Sequence, residues 1–143
     1  MRIVMCAMAL LFVSVSDASA QEKEQWKRLY TTEEAVVEMD VNNVVFSSDF
    51  TGRVWFRLSY AKGQPNPPGQ GGKYNRVIEA MEFRCPASLY RVFSTKRFDT
   101  KGNLIGKDNV APDPIWKPVE TGSMLYRLFT SGCQLISDKR NNP

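Results

Sequence analysis

Arg53-Val54-Trp55-Phe56-Arg57-Leu58-Ser59-Tyr60 alternates without a break, with Val54, Phe56, Leu58 and Tyr60 on one side and Arg53, Trp55, Arg57 and Ser59 on the other. Successive side chains of an extended chain point to opposite faces, so this pattern predicts a β-strand with one face on a core and the other toward solvent. Upstream, Trp26 to Thr31 predicts a first strand and Ala35 to Asp40 a second, with Glu33 and Glu34 in the turn between them. Asn42 and Asn43 read as a further turn, because Asn tolerates left-handed backbone geometry. Downstream, Lys62 to Lys73 holds three prolines and four glycines and is expected to join neither a helix nor a sheet ladder. A phosphate-cradling role for it is disfavoured: no Gly-Lys-Ser/Thr ending and no helix start follow.

Tyr74 to Cys85 predicts a long strand, with Val77, Met81, Phe83 and Cys85 facing one way and Ile78, Ala80, Glu82 and Arg84 the other. Pro86 interrupts it, and a strand resumes from Ser88 to Thr100. Lys101-Gly102-Asn103 closes a hairpin onto a returning strand, Leu104 to Lys107, since Gly and Asn accept positive φ. All of these connections are too short for a helical crossover, which requires the strands to be antiparallel. After an irregular, proline-punctuated crossing from Asn109 to Pro118 that carries Trp116, Ser123 is placed to cap a short helix. Met124, Leu125, Leu128 and Phe129 form its apolar stripe and Gly132 is positioned to end it, leaving Gln134 to Pro143 as a polar, frayed tail.

The N-terminus reads as a secretory leader: Arg2, an apolar run from Ile3 to Val15, and the small-residue site Ala18-Ser19-Ala20. The run is shorter than the roughly 20 residues a membrane-spanning helix needs. Residues 1–20 are therefore expected to be removed, leaving residues 21–143 as a single exported domain. Cys6 falls inside the leader with no lipobox before it. The two remaining cysteines, Cys85 and Cys133, are most simply a disulfide formed in an oxidising compartment, holding the last helix against the sheet. The fold class this defines is α+β: a single antiparallel sheet of about six strands with a C-terminal helix tied by the disulfide to one face.

Composition narrows the chemistry. The chain has no histidine, which removes the commonest general base and metal ligand. With Cys85 and Cys133 paired, no thiolate nucleophile or thiolate metal site remains, so neither a metal nor another cofactor is expected. The formal charge of +4 biases the surface toward anionic partners, yet falls short of the dense basic stripe that nucleic-acid binding requires. Glu79 and Glu82 face opposite sides of one strand, and Glu33 and Glu34 share a turn, so neither pair frames a glycosidic bond. Asp40 reads as a turn residue accepting backbone hydrogen bonds.

The order of landmarks is itself informative: Trp26, a strand ending in Asp40, the Val54 to Tyr60 strand, Cys85 before a basic strand, a Phe98-Asp99-Xaa-Xaa-Gly102 turn, then Trp116, Gly122-Ser123 and a helix ending at Cys133. It resembles the surface-adhesin protein E family of Gram-negative bacteria over about residues 26 to 135. The resemblance implies the same six-stranded sheet with a disulfide-tied helix and a capacity to form homodimers. It also implies an adhesin of the kind that engages vitronectin, laminin, plasminogen and heparin-like glycans. The absence of a lipobox cysteine and of histidine departs from the founding member and argues against lipid anchoring and histidine-dependent metal binding.

The resulting expectation is an exported, non-enzymatic binding protein of the periplasm, cell surface or extracellular space, with a protein or anionic glycan partner and no membrane span. The alternative is a periplasmic inhibitor or envelope-chaperone module, of which a lysozyme inhibitor would be acidic to oppose its basic target. A hydrolase would need a pocket holding a residue of perturbed ionisation. Partner binding is assigned to a basic surface around the hairpin, Arg91, Lys96, Arg97, Lys101 and Lys107, whose plain counterpart is the solvated face of a half-buried sheet. Trp55, Tyr90 and Trp116 are read as packing residues before sugar-stacking ones.

Overall fold

The computed structural model describes residues 23–48, 50–109 and 115–142; the expected leader, residues 1–20, lies outside them. Six strands run in chain order across one antiparallel sheet: β1 (Trp26–Thr31), β2 (Ala35–Ser48), β3 (Thr51–Pro65), β4 (Lys73–Arg84), β5 (Leu89–Phe98) and β6 (Leu104–Asn109). A two-residue strand, β7 (Lys117–Pro118), adds to β5 beside Leu89 and Tyr90, so the end of the proline-rich crossing joins the ladder. The helix α1 (Met124–Asn141) then packs across β2, β3 and β4.

The alternation in β3 sets the two faces. Val54, Phe56 and Leu58 are buried under the helix with Val37 and Met39 of β2 and Val77, Met81 and Phe83 of β4. The helix supplies Leu128, Phe129, Leu135 and Ile136 to the same cluster. Phe83 sits at its centre, with its ring edge-on to both Phe56 and Phe129 at 5.9 and 5.6 Å between centroids. Each such side chain contributes roughly 1.5–3 kcal/mol when fully removed from water, and the helix cannot hold its form in isolation without them.

The helix is twice the expected length. Gly132 does not end it but lies in its middle, facing the sheet: a Cβ there would stand 2.5 Å from Phe83 Cε2. The residues expected to fray, from Gln134 on, complete the helix and bury Leu135 and Ile136. The burial stripe Leu128, Phe129, Gly132, Leu135, Ile136 keeps helical spacing throughout, and Gly132 is required because the helix approaches the ring too closely for any side chain. Ser123 caps the start, its hydroxyl accepting the Tyr126 amide at 3.1 Å. Lys139 and Arg140 in the last turn oppose the negative end of the helix dipole. Gly52 makes a similar approach, where a Cβ would meet Ile136 Cγ1 at 2.7 Å.

Cys85 and Cys133 form a disulfide closing 48 positions of chain, with 5.8 Å between their Cα atoms. Cys85 stands just beyond β4, at the start of a one-turn 3-10 helix through Ala87, and Cys133 stands mid-helix next to Gly132.

Two further expectations are corrected. Asn42 and Asn43 do not reverse the chain; β2 continues to Ser48 through a bulge in which residues 40–43 oppose the single Trp55. Asp40, buried, does accept backbone bonds as expected, from the amides of Gln25 and Asn42, and also takes the Asn43 side-chain amide at 2.6 Å. Its carboxylate thus stands in for the ladder bonds the bulge gives up. The proline- and glycine-rich stretch is also partly in the sheet: Gln64 and Pro65 pair with Tyr74 and Lys73, leaving 66–72 as the connection. Edge-like pairing at a strand end loses no interior ladder bond to Pro65. The connection folds over β6, with Asn66 donating to the carbonyls of Gly71 and Ile105 and Gln70 donating to Asp108.

Candidate binding surface

With the helix seated on one face, the opposite face of the sheet is free of it. Strand register places Glu38, Arg57, Ile78, Lys96 and Lys107 in one transverse row across β2 to β6 on that face. Two rows along stand Arg53, Glu82 and Arg91.

Glu82, expected on a solvent face, is 1% exposed. Arg53 donates to one carboxylate oxygen at 2.8 Å and Arg91 to the other, so both oxygens are held by guanidinium groups from the flanking strands. The two arginines are covered in turn: the Arg53 guanidinium lies 3.2 Å from the centre of the Phe93 ring, and Arg84 and Arg91 each lie 4.5 Å from Trp116. Arg57 pairs with Glu38 at 2.7 Å and stacks over Trp26 at 4.5 Å, while Arg76 stacks over Phe98 at 4.9 Å. Most arginines of this face are thus tied down, as are the aromatic rings beneath them. Trp116 is a packing partner of two arginines, and Tyr90 packs against the core cluster.

The five basic residues separate into three situations. Arg91 is neutralised by Glu82. Arg97 lies on the helix side of the sheet, where it bonds the Asp108 carboxylate; that hydrogen bond holds Asp108 below the usual carboxylate range and raises Arg97. Lys96 and Lys107 are exposed, directly opposite each other on the helix-free face, and Lys101 is exposed in the turn at the end of the same hairpin. Among the described residues, no carboxylate stands in ion-pair contact with these three lysines. The turn between β5 and β6 is closed by hydrogen bonds: Asp99 accepts the amides of Lys101 and Asn103, its pKa lowered chiefly by Asn103, and Gly102 takes φ 85°.

Glu79 and Glu82 stand on opposite faces of β4, and Glu33 and Glu34 share a turn. Glu79 lies on the helix side opposite Phe56 and Thr95, its pKa raised by burial and partly offset by Arg97, while Glu82 faces away from it. Glu33 and Glu34 are exposed in the β1–β2 turn. Among the described residues no group of three or more Cys, Asp and Glu is placed to hold a metal, and no helix is long and apolar enough to cross a membrane.

A single antiparallel sheet covered on one face by a disulfide-bonded helix, with exposed lysines on the other, defines a two-layer α+β domain. The surface-adhesin protein E family model matches residues 26–134, and the chain belongs to that family. No curated protein and no solved structure shows significant similarity to it.

Proposed function

We propose that the protein is an exported, non-enzymatic adhesin-type module of the bacterial envelope or cell surface that binds a sulfated or carboxylated partner through Lys96, Lys107 and Lys101. The observation that carries this reading is the Lys96–Lys107 pair. Like charges directly opposite across two strands disfavour the sheet, and among the described residues no acid relieves them. An anion bridging both ammonium groups turns that repulsion into attraction. Arg91, satisfied by Glu82, adds no free charge to this face, and Arg97, bonded to Asp108, lies on the other side of the sheet. Membership of the adhesin family and the leader-like N-terminus support export and a binding role.

Chromatography of the oxidised protein on immobilised heparin tests this. Elution above physiological ionic strength is expected, moving to much lower salt in Lys96→Glu/Lys107→Glu, because exposed charge contacts are screened within about 8 Å at physiological salt. Elution of the unaltered protein below physiological ionic strength would remove the proposal.

A further inference from the structure

The basic surface of the β5–β6 hairpin extends one row beyond the Lys96–Lys107 pair. Antiparallel partners share a face, so Arg76, opposite Ser59 and Phe98, stands on the helix-free side, two residues along β4 from Ile78, the partner of Lys96. Its guanidinium lies 4.9 Å from the centre of the Phe98 ring and reaches the β5–β6 turn, where a Cβ at Gly102 would stand 3.7 Å from Arg76 Nη2. Arg76 Nε is enclosed without a hydrogen-bond partner, whereas Nη1 and Nη2 are neither enclosed nor hydrogen-bonded. Stacking on Phe98 thus holds the group while its two terminal nitrogens stay open to an incoming acceptor. Lys101, exposed, adjoins Gly102 in the same turn.

Lys96, Lys107, Arg76 and Lys101 therefore border one end of the open face, and among the described residues none of them forms an ion pair. The nearby acids are already engaged. Asp99 in the turn accepts the amides of Lys101 and Asn103 and the Asn103 side-chain amide, Glu38 pairs with Arg57, and Asp108 bonds Arg97 on the helix side. Counting the Asp99 charge against the four cations, positive charge still prevails. Phe98 and Leu104, opposite each other one row on, separate the lysine pair from the turn, and Leu104 is 53% exposed.

We infer that Arg76 and Lys101 form a second anion subsite, so that the ligand of the Lys96–Lys107 pair is a sulfated oligosaccharide long enough to reach both. By strand spacing and rise, the Arg76 backbone stands roughly 8 Å from that of Lys96 and roughly 12 Å from that of Lys107. A single sulfate cannot span that separation; sulfates carried on successive sugars of one chain can. The exposed Leu104 between the subsites suits the C–H face of a pyranose ring, which a bare polyphosphate lacks. Each exposed subsite is weakened by salt, and joining them through one ligand raises affinity by effective concentration. The inference rests on the function proposed above and adds to it a residue, Arg76, and a minimum ligand length.

The test is titration of the oxidised protein with size-defined heparin disaccharide and octasaccharide, and with inorganic polyphosphate of the octasaccharide's charge. The octasaccharide is expected to bind about tenfold or more tighter than the disaccharide, and the polyphosphate several-fold weaker than the octasaccharide. Arg76→Gln should remove most of the octasaccharide's gain. Lys101→Gln, which leaves the stack on Phe98 untouched, should reduce it several-fold, while Lys96→Glu/Lys107→Glu weakens both saccharides. An octasaccharide gain that survives Arg76→Gln and Lys101→Gln, or polyphosphate binding equal to the octasaccharide, would overturn the inference and leave the lysine pair standing. Folded protein that binds neither saccharide would remove the function proposed above and this inference with it.

Discussion

Replacing Gly132 by Ala sets two effects of opposite sign against each other. In an exposed helix interior the change stabilises by about 1 kcal/mol, because Gly has more backbone freedom to lose on folding. Here the added Cβ would lie 2.5 and 2.8 Å from Phe83 Cε2 and Cδ2, and 3.5 Å from the Phe56 ring. Phe83 is 0% exposed and wedged edge-on between Phe56 and Phe129, so the ring cannot swing aside. The helix cannot lift without opening its contacts around the adjacent Cys133, which the disulfide holds to Cys85. Overpacking of this kind costs about 1–3 kcal/mol, and at a site closed on every side the upper half of that range applies. The net expectation is a loss of about 1–2 kcal/mol, seen as a melting temperature lower by about 4–8 °C for a domain of this size. Thermal and urea unfolding followed by circular dichroism, with the disulfide verified by mass spectrometry in both proteins, measures it. A Gly132→Ala protein as stable as the unaltered one, or more so, would show that propensity outweighs the close approach and refute the packing described for α1.

Replacing both cysteines, Cys85→Ser/Cys133→Ser, is expected to cost up to about 4 kcal/mol by the chain-entropy estimate for a loop of this length, read from urea midpoints with and without reductant; an unchanged midpoint would contradict it. Glu79→Gln addresses the carboxyl whose pKa burial raises. The unfolded chain ionises this group at lower pH than the folded one, so its contribution to stability falls as pH rises above the ordinary glutamate range and through the raised folded value. The variant should therefore gain on the unaltered protein between pH 4 and pH 7, in melts taken across that window; a gain shrinking with pH would reverse the sign. Glu82→Gln leaves Arg53 and Arg91 sharing a neutral acceptor and is expected to destabilise by about 3 kcal/mol, the low end for a broken buried pair because both guanidinium groups reach water. Chemical denaturation within experimental error of the unaltered protein would show that the two arginines do not rely on that carboxylate.

Period-two alternation was enough to find the strands, because the side of a strand on which a residue falls depends only on its own segment. Val54, Phe56 and Leu58 are buried as that pattern requires. The hydrogen-bonded Asp99–Asn103 turn was equally local, and the disulfide followed from having two cysteines left once the leader is set aside. The helix was underestimated because Gly132 has the local signature of a terminator. A longer window would have shown Leu128, Gly132, Leu135 and Ile136 on one stripe, but the reason for glycine there is the Phe83 ring, 49 positions earlier in the chain. The Asn42-Asn43 bulge and the pairing of Gln64 and Pro65 likewise depend on partners supplied by neighbouring strands.

The candidate surface was legible as a set of cations and not as an arrangement. By itself the sequence determined which residues are charged, where the chain extends or turns, and the cysteines available to close a crosslink. Only the tertiary structure decided that Arg91 is spent on Glu82, that Arg97 lies on the helix side with Asp108, and that Lys96 and Lys107 face each other on the open side. The physical reason is that charge and local conformation belong to single segments, whereas neutralisation depends on strand register, which brings a carboxylate beside a guanidinium from another strand.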